Sequence, residues 1–176
     1  MSRMTGQAYT RVGPGLPPLY DAQNGAKALI LGSFPSPKSR EQSFYYGHPQ
    51  NRFWPLLAAL LDQPVPAHGD LAAKRALITG HGLALWDTVR SCRIRGASDA
   101  SICDVVPNDV PALVKKLGVR AVFCNGGTSA RLYAKYLQAQ TGLPAVTLPS
   151  TSPANAAWSL PRLQAAWGAA LKPYLE

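Results

Sequence analysis

A chain of 176 residues with 47% hydrophobic content is long enough for one domain with a sizeable core. Only 15% of its residues are charged, yet 18 Lys+Arg against 9 Asp+Glu leave a net charge of +9, which favours a polyanionic partner, nucleic acid ahead of membrane. Cys92, Cys103, Cys124 and the three histidines show no metal-ligand spacing, and no 18-residue apolar run is present, so cysteine-built metal centres and a membrane span are both set aside.

Residues 1–26 are rich in Gly, Pro and polar side chains and are expected to form an extended N-terminal arm, with a single domain over 27–176. The start has no apolar signal-peptide region, and a reducing cytoplasm is the expected compartment, nucleoid-associated if the source is bacterial. KALILGSF predicts a buried strand ending in a turn at Gly32. Trp54, Leu57, Ala58 and Leu61 share a helix face, and Pro55 fits only a first turn, so a helix begins near Arg52 or Phe53 with Asn51 at its edge. Asp70 caps a second helix, and GLALWD reads as a strand. Residues 90–106 lack periodicity and are expected to be a long loop. Asn108 is placed as the cap of a helix with Val110, Leu113, Val114 and Leu117 inward, and VRAVFCNGG as a strand running into a glycine turn. Thr128 is expected to open a helix closed by Gly142, LPAVTLPS to form a fourth strand, and Ser159 to cap the last helix. Apolar strands alternating with helices predict a three-layer α/β/α fold around a mainly parallel four-stranded sheet, whose ligands bind beyond the C-terminal strand ends.

Three segments near those ends could carry chemistry. GSFPSPKS is either a proline-stiffened turn or a set of backbone N–H groups aimed at a ligand, and it matches no P-loop or dinucleotide fingerprint. LPSTSPAN is either a polar turn or a phosphate contact built from small hydroxyl residues. FYYGHPQNRFWPLL crowds five aromatic rings beside His48, Gln50, Asn51 and Arg52. Asn51 is there either a helix cap or an amide offered to a base edge or a water, and Arg52 meets a phosphate or braces the loop. Together the rings and polar groups describe a pocket for an extruded nucleobase.

FYYGHPQNRFW, with GSFPSPKS and LPSTSPAN in matching order over roughly residues 27–172, resembles the uracil-DNA glycosylase superfamily, in its hypoxanthine-DNA (deoxyinosine) glycosylase branch, related to the mismatch-specific uracil/thymine glycosylases. The resemblance implies that Gly32 to Ser36 line the pocket, with Ser33 and Phe34 at the base. Phe34 stands where most of the superfamily keeps a polar catalytic residue, and the branch's substitute is the Asn of N-R-F-W, here Asn51. Tyr46 matches the ring that stacks on the flipped base. Asp87 matches the strand end where uracil-specific members read the base edge with Asn. Ser150 belongs to the phosphate-pinching motif, whose usual His is replaced by Leu148, and Ser152, Pro153 and Ala154 match the loop that enters the duplex. Ser36, Ser39, His48 and Asn155 complete the expected DNA contacts.

The implied reaction is monofunctional hydrolysis of the N-glycosidic bond of hypoxanthine, with uracil a further substrate, in DNA. Base departure leaves oxocarbenium character on the sugar, so donors aimed at the base matter most. Acids look scarce around the pocket, pointing to modest electrostatic catalysis by Asn51. No metal, cofactor or membrane is expected, and the protein is expected to be a monomer acting on DNA. Competing readings are a mismatch or single-strand uracil glycosylase and a lesion-binding module that has lost the chemistry; a nucleoside hydrolase is disfavoured by the charge.

Overall fold

A computed structural model describes residues 8–175. In chain order its strands are β1 (Thr10–Val12), β2 (Ala28–Gly32), β3 (Leu83–Asp87), β4 (Val89–Ile94), β5 (Cys103–Pro107), β6 (Ala121–Asn125) and β7 (Ala145–Leu148). Its helices are α1 (Pro37–Gln42), α2 (Phe53–Leu60), α3 (Leu71–Thr79), α4 (Val110–Leu117), α5 (Gly127–Tyr136), α6 (Gln138–Thr141) and α7 (Leu160–Leu171).

The apolar runs form one four-stranded sheet in the order β3-β2-β6-β7, and every pairing in it is parallel. All five residues of β2 are buried, as a central strand covered on both faces requires. Alternate strand residues divide between two cores. Ala28, Ile30, Leu83, Leu85 and Phe123 pack with α2, α3 and α7 through Phe53, Leu57, Ile78 and Trp167. Leu29, Leu31, Ala84, Val122 and Cys124 pack with α4 and α5 through Val110, Leu113, Val114 and Tyr133. The expected three-layer α/β/α architecture is therefore present. Burying each large side chain contributes about 1.5–3 kcal/mol, and Phe53, fully buried between the layers, is a position where truncation to Ala would cost roughly 3–5 kcal/mol.

Residues 90–106 are not the expected loop. β4 pairs antiparallel with β1 on one side and β5 on the other, making a second, three-stranded sheet. Two register shifts between β4 and β5 break the period of two, which hides the strands from a search for alternation. This sheet closes its own cluster of Val89, Cys92, Ile94 and Ile102 with Phe34 and Leu132. The described part of the N-terminal arm joins both sheets. β1 pairs with β4, while Leu16 and Leu19 are buried in the main core. Leu19 exchanges two 2.9 Å backbone hydrogen bonds with Leu85, covering the outer edge of β3. The first seven residues of the expected arm lie outside the described residues.

Asp70 and Ser159 cap α3 and α7 as expected, accepting from Ala73 N and Arg162 N. The cap of α4 is Asp109, not Asn108, which is buried and donates from Nδ2 to Asp87 O at 2.7 Å. α5 opens at Gly127, one residue before Thr128, and ends at Tyr136; Gly142 closes the short α6 instead. No helix among the described residues is long and apolar enough to cross a membrane.

Candidate functional site

The C-terminal ends of β2, β3, β6 and β7 open into one cleft of about 870 Å³, a size that suits a small organic ligand. Five connections converge on it: the turn after Gly32, the segment Tyr45–Asn51, the residues Gly96–Asp99, the turn Asn125–Gly127, and the loop from Leu148 to Trp158. Among the expected residues, Ser33, Phe34, Ser36, Ser39, Tyr46, Asn51, Asp87, Ser150, Ser152, Ala154 and Asn155 line it. His48 and Pro153 are not in its wall.

Gly32 sets the innermost corner. A Cβ there would stand 2.5 Å from Asp87 Oδ1 and 3.5 Å from Tyr46 Oη, so only glycine lets both groups occupy that corner. Asp87 is buried, and its Oδ2 has no hydrogen-bond partner among the described residues. Burial, with the neighbouring Asp99 charge adding to it, pushes the Asp87 carboxyl up to about 7. Tyr46 Oη is likewise buried and makes no hydrogen bond of normal geometry among the described residues; burial followed by the Asp87 charge holds its phenol above the ordinary tyrosine range, against the opposing pull of the nearby Asn125 side chain. The Tyr46 backbone has φ 52, the left-handed region that a bulky residue rarely adopts. Its ring stacks on Phe53 at 4.1 Å between centroids, so the first turn of α2 holds it in place.

The remainder of that aromatic stretch is anchoring. Tyr45 Oη donates to Pro17 O at 2.6 Å, and Trp54 Nε1 donates to Tyr45 O at 3.0 Å. Phe44 stacks on Trp54 at 6.0 Å. His48 Nδ1 accepts from Gln50 N, a local turn contact.

The N-cap of α2 is Arg52, which makes no side-chain cap bond, and Asn51 lies one residue before it; Asn51 Oδ1 instead takes the first helical N–H in an Asx-type turn, accepting from Phe53 N at 2.9 Å. The same oxygen accepts from Thr151 Oγ1 at 2.9 Å, and Thr151 is tied to Asn125 through Nδ2 to Oγ1 at 3.0 Å and Thr151 N to Oδ1 at 3.1 Å. The residue that meets the first helical N–H and the cleft-lining amide are therefore the same, with its oxygen fixed and its Nδ2 the group available to a ligand. Gly126, at φ 95, turns β6 into α5, and a Cβ there would approach Ser150 Cβ at 3.3 Å. That close approach brings the Asn125 and Ser150 segments together.

Arg52 braces the opposite loop. Its guanidinium donates to Trp158 O, to Ser152 O at 2.9 Å and to Asn155 O at 3.0 Å, while Arg52 N donates to Thr151 O at 3.1 Å. The loop is further wound on itself, Ser150 Oγ accepting from Ser152 N, Ser152 Oγ from Ala154 N, and Ser150 O from Asn155 Nδ2 at 3.0 Å.

Several expected roles are redirected. Ser39 is buried, and its hydroxyl accepts from Gly47 N at 2.9 Å and from Ser36 Oγ at 3.1 Å, which ties α1 to the turn after Tyr46. Ser36 caps α1. Phe34 packs its ring into the cluster of the second sheet under the Arg40 guanidinium, 5.6 Å from the centroid. The expected scarcity of acids does not hold, because Asp99 joins Asp87 in the cleft wall. Asp99 Oδ2 accepts from Ser33 Oγ at 2.7 Å, and burial raises its carboxyl against that bond. Asp99, Asn125 and Thr151 escape a reading of motifs because their partners are remote in sequence. No cluster of three His, Cys, Asp or Glu residues able to hold a metal occurs among the described residues.

The sequence matches the model of the uracil DNA glycosylase superfamily over residues 17–171. It is 31% identical over 160 residues to a hypoxanthine DNA glycosylase of Methanosarcina acetivorans, covering 90% of this chain and 97% of that one, and matches a hypoxanthine DNA glycosylase of Methanosarcina barkeri to the same extent. A solution NMR structure from Methanosarcina acetivorans, provisionally designated a uracil DNA glycosylase, superposes with a TM-score of 0.73 at 28% identity, over 94% of this chain and 99% of that one.

Proposed function

The chain belongs to the uracil DNA glycosylase superfamily, and on that premise we propose that its cleft receives a deaminated base turned out of DNA and hydrolyses its N-glycosidic bond, with hypoxanthine as the leading substrate. The observation that carries this reading is the convergence of Tyr46, Asn51 and Asp87 on one cleft, where Tyr46 Oη and Asp87 Oδ2 are buried and make no hydrogen bond of normal geometry among the described residues. Buried polar atoms are normally satisfied, so two orphans in one corner suit a ligand that brings hydrogen-bonding groups of its own.

Phe53 backs one face of the Tyr46 ring, and the base meets the other, a contact worth ~1–3 kcal/mol. Asp87, when ionised, accepts from N1–H of hypoxanthine. Adenine has no proton at N1 and sets a lone pair against the carboxylate there, which gives discrimination against the undamaged base. Asn51 donates from Nδ2 to the base or to the attacking water. In the reaction the water oxygen bonds to C1′ while the C1′–N9 bond breaks, its electron pair leaves with the base, and a water proton ends on the base. Asp99 adds a carboxylate facing the positive charge that develops on the sugar. Ser150 and Ser152 contact the phosphates, and the loop Ser152–Ala154 enters the space left in the duplex. The enzyme is monofunctional and works as a monomer, without metal or cofactor, in the cytoplasm.

The test is a base-release panel: hypoxanthine, uracil and xanthine in duplex and single-stranded DNA, with the wild type and Asn51→Ala. Release of hypoxanthine by the wild type and its loss in the variant are expected. No release from any substrate would overturn the reading, and a clear preference for uracil would replace hypoxanthine as the leading substrate.

A further inference from the structure

The cleft continues into a second groove of about 600 Å³ between α1 and β1, and the two share Pro37, Arg40, Ile94, Gly96 and Ala97 as their common wall. Arg40 stands at the junction. Its guanidinium lies over the Phe34 ring, and its Nε is buried without a hydrogen-bond partner among the described residues. A buried cationic donor left unmatched where two grooves meet calls for an anionic acceptor.

The outer face of the small sheet beside this groove is also cationic. In the β1–β4 register Arg11 lies opposite Arg93, and Arg95, one residue past β4, stacks over the exposed Tyr9 ring at 4.4 Å. Arg93 also lies over Tyr9, at 6.0 Å. Asp104 offsets part of this charge, bonding Arg93 at 3.4 Å and accepting from Arg11 through its carbonyl at 3.0 Å. Those contacts fix Arg11 and Arg93 in place, while Arg95 presents its charge on the aromatic ring. An aromatic surface laced with arginines suits a sugar–phosphate backbone, where a pure cation cluster would offer charge alone.

We propose that this groove and face form a second DNA-contact surface, with Arg40 and the Tyr9–Arg95 pair holding the backbone of the damaged strand beside the extruded nucleotide. The proposal rests on the glycosylase reading for its choice of DNA as occupant. It assigns a role to the small sheet, which the chemistry of the cleft does not require. The surface would track the strand as it leaves the pocket, and its contribution would be electrostatic, independent of base identity and sensitive to salt.

The experiment is equilibrium binding of the full chain to an undamaged duplex across a salt series, for wild type, Arg40→Gln, and Tyr9→Ser combined with Arg95→Gln. Each lost phosphate contact should lower the slope of log K against log salt by about 1, and the double variant should bind roughly tenfold more weakly. Lys115→Gln combined with Lys172→Gln removes two positive charges elsewhere and should leave the slope unchanged. Thermal melting identifies any Arg40 variant that fails to fold, in which case the exposed Tyr9 and Arg95 pair carries the test. Slopes and affinities equal to wild type in the sheet variants would overturn the proposal. So would an equal loss in the lysine control, which would mean net charge alone is being read. Because the duplex carries no lesion, this binding is measured independently of base release, and a wild type that released no base from any lesion substrate would overturn the glycosylase reading alone.

Discussion

The two walls of the cleft are built on opposite principles. On the Asn51 side the polar groups are mostly paired: Asn51 Oδ1 with Phe53 N and Thr151, Thr151 with Asn125, and Arg52 with three loop carbonyls, leaving Asn51 Nδ2 for a ligand and Arg52 Nε as the one buried atom without a partner among the described residues. On the Asp87 side the innermost groups are buried and unmatched, with a tyrosine in a strained backbone conformation beside a carboxyl raised to about 7. One wall is fixed in advance, and the other carries an energetic debt that a bound base can settle. That division is what preorganisation looks like when the ligand itself completes a hydrogen-bond network.

Breaking the satisfied wall should have the largest effect on activity. Asn51→Ala is expected to lower single-turnover base release by about 10²–10³-fold, the cost of removing a preorganised donor, with a stability loss of about 1 kcal/mol from the lost bonds to Phe53 N and Thr151 Oγ1. A rate close to wild type would reduce Asn51 to a bracing residue at the start of α2.

The unmatched wall predicts the opposite sign for stability. Asp87 keeps its proton in the folded state up to about pH 7 but loses it near 4 when unfolded, so its burial progressively destabilises the fold as pH rises through that window. Asp87→Asn should therefore raise stability by up to roughly 4 kcal/mol at pH 8 and change it little at pH 4, while weakening discrimination against adenine. Denaturant titrations at the two pH values decide this, and a loss of stability at pH 8 would contradict it.

Arg52→Gln tests whether the satisfied wall is structural. Three carbonyls lose a charged donor, and a loss of roughly 2–4 kcal/mol is expected, read as a lower denaturation midpoint together with faster proteolysis in the 150–158 loop. The smallest effect belongs to Tyr46→Phe. Removing an unpartnered buried hydroxyl should stabilise the free protein by about 1 kcal/mol, whereas stacking, and so binding of a flipped base, should be retained. Destabilisation would show that the hydroxyl is already matched.

Much of the scaffold was legible because the physics acting on it is local. Uninterrupted apolar runs mark strands buried on both faces, and Asp70 and Ser159 sit one residue ahead of the helices that they cap. Within the site, Asn51, Tyr46 and Asp87 reach the cleft because their motif places them at strand ends and a helix start. The parts that stayed hidden depend on distant partners. Asp99 matters through Ser33, 66 residues away, and Thr151 through Asn51, 100 residues away. β4 and β5 were concealed by their own bulges, and with them the sheet that carries Arg11 and Arg93. Ser39 shows the converse error: a hydroxyl well suited to phosphate is occupied in holding the Gly47 amide.

Arg52 joins the start of α2 to the loop that is proposed to enter the duplex, and Thr151 joins that same loop to Asn51. The wedge and the amide therefore share one set of bonds and move as one rigid piece. An enzyme wired in this way has little means of probing a duplex with the wedge held back and the reactive pocket already assembled. Inspection and commitment become a single event, so selectivity falls to how readily a weakened base pair yields and to the Asp87 contact with the base that enters, rather than to a separate proofreading pause.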